Sequence, residues 1–255
     1  MASPTAQVSE QVVAITALGV PIDIAVVGGQ VDEMVMAIQR AWSGARRIDG
    51  VAMRTVTVSE GDPEFVLHHL SQLVTQVAIE ARAGKLMMFH AAGLADPATG
   101  RTVAFVAPSG TGKTTICRTL GRDWAYVSDE TIGLDSSLAV APHRKPLSVV
   151  QASTEFKAQT SPDDAGLLAA PEFLTLCAVV LLERDESVEH VEVDMIRTVA
   201  ALPLLAEQTS YLARHARPLH ALAEILEATG GLRMVRYRAA EDLSPLILEL
   251  VGSAR

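Results

Sequence analysis

Cysteine is scarce in this chain, with two among 255 residues, Cys117 and Cys177. Two cannot make a disulfide framework, and their surroundings predict small core residues, one on a helix and one on a strand. Zinc-ligand spacing is missing as well: His68, His69, His143, His190, His215 and His220 have no cysteine or acid partners at metal-binding intervals. They read as surface or helix positions. No block of Lys or Arg stands out, and 21 basic against 30 acidic residues leave a net charge of −9. A broad nucleic-acid or anionic-membrane surface is therefore not expected, although a local basic patch remains open. Long apolar runs are absent too. The stretch Leu174-Thr175-Leu176-Cys177-Ala178-Val179-Val180-Leu181-Leu182 falls well short of the ~20 residues a membrane helix needs. Met1-Ala2-Ser3-Pro4-Thr5-Ala6-Gln7 carries neither a basic n-region nor an apolar core, so no signal peptide and a cytoplasmic location are expected. There is no internal repeat or low-complexity tract.

What is present suits an ordered globular chain. Hydrophobic residues make up 49% and charged ones 20%, enough for a real core in one large domain or two small ones. Val12 to Val27 is β-rich, with Gly19-Val20-Pro21 suggesting a turn between two strands. Gln30 to Trp42 has a helical apolar face of Val31, Met34, Val35 and Ile38. Val51 to Val58 alternates as a strand. Asp62-Pro63 opens a long helix through about Arg82. Leu86 to Leu94 and Thr102 to Val106 form a hairpin around Asp96-Pro97-Ala98-Thr99-Gly100. Further strands are expected at Trp124 to Ser128, at 174–183 and at Met234 to Arg238. Another hairpin is expected from Ile132-Gly133-Leu134-Asp135 and Ser137 to Ala141. Arg197 to Thr229 reads as largely helical, interrupted at Pro203 and Pro218 and ending at Gly230-Gly231. A final helical turn or two spans Pro245 to Val251.

Ala107-Pro108-Ser109-Gly110-Thr111-Gly112-Lys113-Thr114 lies between a strand and a helix-compatible stretch starting at Thr115, the context a nucleotide phosphate loop requires. Gly110 and Gly112 let backbone N–H groups turn inward as a nest for phosphate oxygens. The helix that follows adds its positive end. In this reading Lys113 reaches the β- and γ-phosphates, and the Thr114 hydroxyl ligates Mg²⁺. Ala107 stands where Gly is commonest, which is tolerable at negative φ.

Asp129-Glu130 ends a strand 16 residues after Lys113. A phosphate-loop protein needs an acid at the end of a neighbouring strand to hold Mg²⁺ or orient the nucleophile; the plain alternative is a turn. His90 lies 23 residues before Lys113 in the first hairpin strand, so the hairpin could carry it to the phosphate site, or it is a packed core histidine. His143-Arg144-Lys145-Pro146-Leu147-Ser148 carries three basic groups that either pair with phosphate or an acidic substrate or form a solvated loop. Gln151 to Pro171 is polar and weakly periodic, and reads as a substrate-side loop.

Phe89-His90-Ala91-Ala92-Gly93, the 108–114 loop and Tyr126-Val127-Ser128-Asp129-Glu130 together resemble the catalytic domain of bacterial HPr serine kinase/phosphorylase. The closer resemblance is to the shorter HPr-kinase-like proteins of peptide-modification and lasso peptide gene clusters. It is good over about residues 84 to 150, and Lys145-Pro146-Leu147-Ser148 shares it. The resemblance implies an α/β fold with a phosphoenolpyruvate carboxykinase-like P-loop core at 84–255, a smaller N-terminal α/β region at 1–83 and C-terminal helices. It implies an ATP-dependent kinase that transfers the γ-phosphoryl to a serine or other hydroxyl of a protein, peptide or small molecule, with Mg²⁺; a homo-oligomer is left open. Pro108, Ser109, Gly110, Thr111, Gly112, Lys113, Thr114 and Thr115 would bind nucleotide. Thr114, Asp129 and Glu130 would hold the metal, and Asp129, His90 and Lys113 would be catalytic, Asp129 as the base. The glycine-rich signature that the kinases carry downstream, with its Mg²⁺-supporting Glu, is not found, and Asp163-Asp164 stand in that region in another context. That departure motivates the alternative of a nucleotide-binding regulatory or assembly protein with little or no kinase turnover. A carboxykinase-like small-molecule enzyme would need arginine sets that are not recognisable.

Overall fold

Alternating apolar residues at the start of the chain fold as a hairpin in the computed structural model, which describes residues 9–149 and 156–252. Strands β1 (Ser9–Ala17) and β2 (Val20–Gly28) pair antiparallel from Ser9–Gly28 to Ala17–Val20. The turn is Leu18-Gly19, both at positive φ (50° and 67°), as two-residue hairpin turns prefer. Pro21 therefore lies inside β2 rather than in the turn expected for it. Helix α1 (Asp32–Ala41) leads to β3 (Arg54–Ser59), which pairs parallel to β2. Helix α2 (Pro63–Arg82) starts where Asp62-Pro63 predicts, with the Asp62 carboxylate accepting from the Phe65 N–H at 2.9 Å. The two helices bury Met34, Val35, Ile38, Leu70, Val74 and Ala78 against Ile15, Ile22 and Ile24 of the sheet.

The chain continues through β4 (Met87–Ala95), β5 (Arg101–Val106), α3 (Lys113–Leu120), β6 (Ala125–Ser128), β7 (Thr131–Leu134) and β8 (Val140–Ala141). Strands β9 (Leu147–Val149), β10 (Ala158–Thr160), β11 (Thr175–Arg184) and β12 (Glu192–Ile196) follow. Then come α4 (Thr198–Glu207), β13 (Thr209–Ser210), α5 (Pro218–Ala228), β14 (Leu232–Tyr237) and α6 (Ser244–Gly252). The large sheet has the order β12-β14-β11-β5-β4-β7-β8, with β6 and β13 also against β4. Strands β5, β11 and β14 are mutually parallel and the rest antiparallel. One face packs on Ile116, Cys117 and Leu120 of α3 and Ile247 and Leu250 of α6. The other packs on Ala201 and Leu205 of α4 and Leu222 and Leu226 of α5. This is an α/β fold with a mixed sheet and flanking helices. Both cysteines are free and buried, Cys117 on α3 and Cys177 on β11. No helix of the described residues is long and apolar enough to cross a membrane.

Three segments differ from the sequence reading. Pro203 does not interrupt its helix; it lies inside α4. The bond it cannot donate would go to the carbonyl of Val199, in an exposed first turn that water can serve. Strand β12 is not among the expected strands, although Val191-Glu192-Val193-Asp194-Met195 alternates; it is a five-residue, largely exposed edge strand held by β14. The stretch 151–171, read as a polar loop, contains β10, which pairs with β9 ahead of it, Leu147 opposite Thr160 and Val149 opposite Ala158; residues 150–155 lie outside the described ones.

The β4–β5 turn fixes where β5 begins. The Asp96 carboxylate accepts from the N–H groups of Ala98 and Thr99, and Gly100 sits at φ +71°, where a Cβ would run into the Phe173 carbonyl. Gly166 has the same φ with open space around its Cβ position. Gly100→Ala should cost about 2–4 kcal/mol, combining left-handed strain with a clash. Gly166→Ala should cost only the strain, about 1 kcal/mol. Urea unfolding of both variants measures this, and equal losses would refute the packing argument.

Candidate phosphate-binding site

Strand β5 is buried from Thr102 through Val106 and delivers the chain to a loop that turns outward at Pro108. Ala107 is not among the positive-φ residues, so a methyl there is unstrained. Gly110 and Gly112 take φ +86° and +101°, values that favour glycine. A Cβ on Gly110 would meet nothing within 4 Å, so that side of the loop is open. The opposite side is braced from β14, where the Tyr237 hydroxyl donates to the Thr111 carbonyl at 2.9 Å. Helix α3 begins at Lys113, directly after the left-handed Gly112.

Lys113 is buried, and its ammonium donates to the carbonyls of Ala107 and Pro108 at 2.7 and 2.8 Å. The lysine thus closes the loop from within. Burial pushes its pKa down to about 8, against the opposing pull of Asp129 and Glu130.

The paired acids sit in a turn built by Ser128, whose hydroxyl accepts from the N–H groups of Glu130 and Thr131 at 3.1 and 3.0 Å. Strands β6 and β7 on either side both pair with β4, which holds the turn beside the hairpin. Asp129 is buried, and both of its oxygens are engaged. Oδ2 accepts from the Thr114 hydroxyl at 2.8 Å, and Oδ1 accepts from the Tyr126 hydroxyl at 3.1 Å. Oδ1 also lies 3.3 Å from the Lys145 ammonium, which is equally close to Glu130 Oε2. The Glu130 side chain is 36% exposed, against 2% for Asp129. Burial pushes the Tyr126 hydroxyl far above its ordinary pKa, and the Asp129 charge adds to that. For Lys145, burial works against the charged form, but the two carboxylates outweigh it and the pKa is raised.

The β4–β5 register places His90 directly across from the loop, and its carbonyl accepts from the Ala107 N–H at 3.4 Å. Burial, then the Lys113 charge, lowers its imidazole pKa, while Glu130 opposes. His143 is a correction to the surface reading. It is fully buried, its Nε2 is 3.0 Å from the Thr75 hydroxyl of α2, and burial lowers its pKa to about 4. The same Thr75 hydroxyl reaches Glu130 Oε2 at 3.4 Å, so the N-terminal helix touches the acid pair directly.

A cavity of about 680 Å³ joins Ser109, Gly110, Gly112, Lys113, Thr114 and Thr115 with His90, Asp129 and Glu130. Pro108 and Thr111 do not line it; their carbonyls anchor Lys113 and Tyr237. Four cations face the cavity, Lys113, Arg118, Lys145 and Lys157, against Asp129 and Glu130. An acidic chain thus presents a locally cationic hollow. Arg144 and Asp163-Asp164 do not join it. Arg144 lies over the Tyr126 ring at 6.0 Å and faces Asp163 at 3.7 Å. Asp163 bonds to Ser43 at 2.5 Å, and Asp164 to Arg40 at 2.8 Å. Lys145 carried a signal in the basic run it belongs to. Tyr126 stood in the motif of the paired acids, but Thr75 and Tyr237 carried no signal, since their partners are set by tertiary pairing.

Among the described residues no group of three or more His, Cys, Asp or Glu side chains gathers to hold a metal. Thr114 and Asp129 offer the one or two protein oxygens with which Mg²⁺ is typically held beside phosphates.

No protein-family model matches the chain, and no curated protein does. Among solved structures it is similar to the Hpr(Ser) kinase/phosphatase from Coxiella burnetii, at 12% identity and a TM-score of 0.33, over 65% of this chain and 93% of that one. A likeness that slight concerns coarse architecture and says nothing about the site.

Anion binding here should depend on pH. The free loop loses the Lys113 proton as pH rises through about 8, whereas a bound polyanion would hold it. Tripolyphosphate affinity should therefore fall by up to about tenfold per pH unit above that point. Titration calorimetry between pH 7.5 and 9.5 measures the fall, and Lys113→Arg, which keeps its charge, should flatten it. A flat wild-type profile would remove Lys113 from the anion site.

Proposed function

We propose that this chain is an ATP-dependent kinase of the HPr-kinase-like group, with a phosphoenolpyruvate carboxykinase-like P-loop core. It transfers the γ-phosphoryl of ATP to a hydroxyl of a protein, peptide or small-molecule acceptor. The observation that carries the reading is the 2.8 Å hydrogen bond from Thr114 to Asp129 at the edge of the cationic cavity. It joins the two groups that phosphate-loop enzymes use around a metal, although they stand on separate elements.

In this reading the loop N–H groups and Lys113 take the β- and γ-phosphate oxygens, with Lys113 leaving the Ala107 and Pro108 carbonyls to do so. Mg²⁺, when bound, supplies charge neutralisation between the β- and γ-phosphates. Thr114 and Asp129 Oδ2 would hold it, with Glu130 beside them. The acceptor oxygen bonds to the γ-phosphorus, the bond from that phosphorus to the β–γ bridging oxygen breaks, and ADP leaves. The acceptor proton passes to Asp129, the carboxylate next to both the metal position and Lys145. His90, biased towards its neutral form by burial and then by Lys113, is a hydrogen-bonding group near the γ-position and adds no further positive charge. Positioning and electrostatics carry such a reaction.

One observation favours the second reading, a nucleotide-binding regulatory or assembly protein. Lys113 is satisfied by loop carbonyls and Lys145 pairs with both acids, so the main cations of the site have internal partners. The two readings separate in one experiment. Asp129→Asn should still bind ATP itself, measured without Mg²⁺, within about threefold of wild type, because backbone N–H groups supply most phosphate contacts. Transfer of labelled γ-phosphate to products of the neighbouring genes should fall about a hundredfold or more. Nucleotide binding without transfer in the wild type would select the regulatory protein. Undiminished transfer by Asp129→Asn would leave Asp129 a turn residue.

A further inference from the structure

Three hollows meet at Thr115. Besides the phosphate cavity, a cleft of about 210 Å³ runs from Gly112 and Ile116 to the end of β14 at Tyr237 and to Ala239 and Ala240 beyond it. A third hollow, of about 530 Å³, runs the other way beneath the β9–β10 hairpin, and is lined by Arg118, Arg122, Thr119, Val149, Thr160 and Ala165. It shares Thr115, Arg118 and Val149 with the phosphate cavity, so the two adjoin. Its only charged walls are the two guanidinium groups, four residues apart on one side of α3 and the turn after it. Neither forms an ion pair among the described residues, whereas the acids of the adjacent turn are committed elsewhere. Asp163 is held by Ser43 and faces Arg144, and Asp164 is held by Arg40. In a chain of net charge −9, two uncompensated arginines opening onto the phosphate cavity form a local anion trap.

We infer that this hollow receives the acceptor, and that the acceptor is an acidic peptide segment whose carboxylates flank the hydroxyl to be phosphorylated. The inference rests on the kinase reading for the word acceptor. The nucleotide is not the better occupant. A flat base suits the smaller cleft, where Ile116, Tyr237 and two alanines supply apolar surface beside Arg184, Arg238 and Glu241. The arginine hollow offers forked donors that match carboxylates. An extended peptide lying between Arg118 and Arg122 would reach the γ-phosphate position by way of Thr115, without crossing the loop.

The probe is a synthetic peptide with one serine flanked on both sides by glutamates, and the control carries glutamines instead. Fluorescence anisotropy at low ionic strength should show the glutamate peptide binding and the glutamine peptide not. The glutamate signal should weaken steeply by 0.5 M salt, where exposed charges are screened within several ångströms. Arg122→Gln should weaken the peptide about fivefold and leave Mg·ATP affinity unchanged; Arg118→Gln/Arg122→Gln should weaken it about twentyfold. Equal binding of both peptides, no effect of the substitutions, or an equal loss of ATP affinity in Arg122→Gln would each overturn the inference. Lys113→Ala keeps the two readings apart, because it should abolish nucleotide binding and spare the peptide. If wild type fails to bind ATP the kinase reading falls, and the arginine variants still decide whether the hollow takes acidic peptides.

Discussion

A buried carboxylate must be compensated, and the compensation of Asp129 organises this molecule. An unpaired charge at that depth would cost several kcal/mol. The fold answers with three donors from three places: Thr114 on α3, Tyr126 on β6 and Lys145 ahead of β9. Each donor is then held by its own surroundings. Tyr126 is packed in the core and lies against Arg144. Lys145 is shared with Glu130, and Glu130 reaches Thr75 on α2. Through that chain of contacts the small N-terminal sheet unit is tied to the large sheet at the acid pair. Its second tie, from Ser43 and Arg40 to Asp163 and Asp164, stands more exposed and is correspondingly weaker.

The same logic explains the shape of the loop at 107–114. Loop N–H groups cannot turn inward unless the loop carbonyls turn elsewhere. Lys113 gathers two of those carbonyls, and Tyr237 takes a third. The lysine therefore has a structural partner in the free protein and would change partners on binding an anion. Burial lowers its pKa to about 8 against the pull of the nearby acids, whereas for Lys145 the two carboxylates outweigh burial.

Local features were legible in the sequence, and the long-range partners of the site were not. Asp62-Pro63 marked the start of α2 because an N-cap and a proline at the first turn act within four residues. The glycines at 110 and 112 marked the loop because their φ values admit little else. His90 could be placed because one tight turn fixes the whole β4–β5 register. By contrast, Thr75 stands 55 residues from Glu130 and Tyr237 stands 126 from Thr111, and nothing in their own neighbourhoods hints at a partner. His143 looked like one member of a basic run; burial against α2, a tertiary fact, made it neutral. The hairpin of β9 and β10 escaped because each strand is three residues long, shorter than any alternation needs to show itself.

The charge distribution follows from that division of labour. A surplus of acid keeps the molecule at net −9, yet five of its cations gather around two adjoining hollows. Two of them, Lys113 and Lys145, are buried and internally satisfied. Arg118 and Lys157 stand at the rim, and Arg122 lies beyond it. Buried cations with internal partners have to be released before they can act on a ligand, which tempers affinity. Rim cations need no release and act at range, drawing anions through an otherwise repulsive field. An anion would therefore be steered by the arginines and gripped only after Lys113 lets go of the loop. That order places discrimination at the buried lysine, where only a ligand able to replace two carbonyl acceptors at 2.7–2.8 Å can complete the exchange.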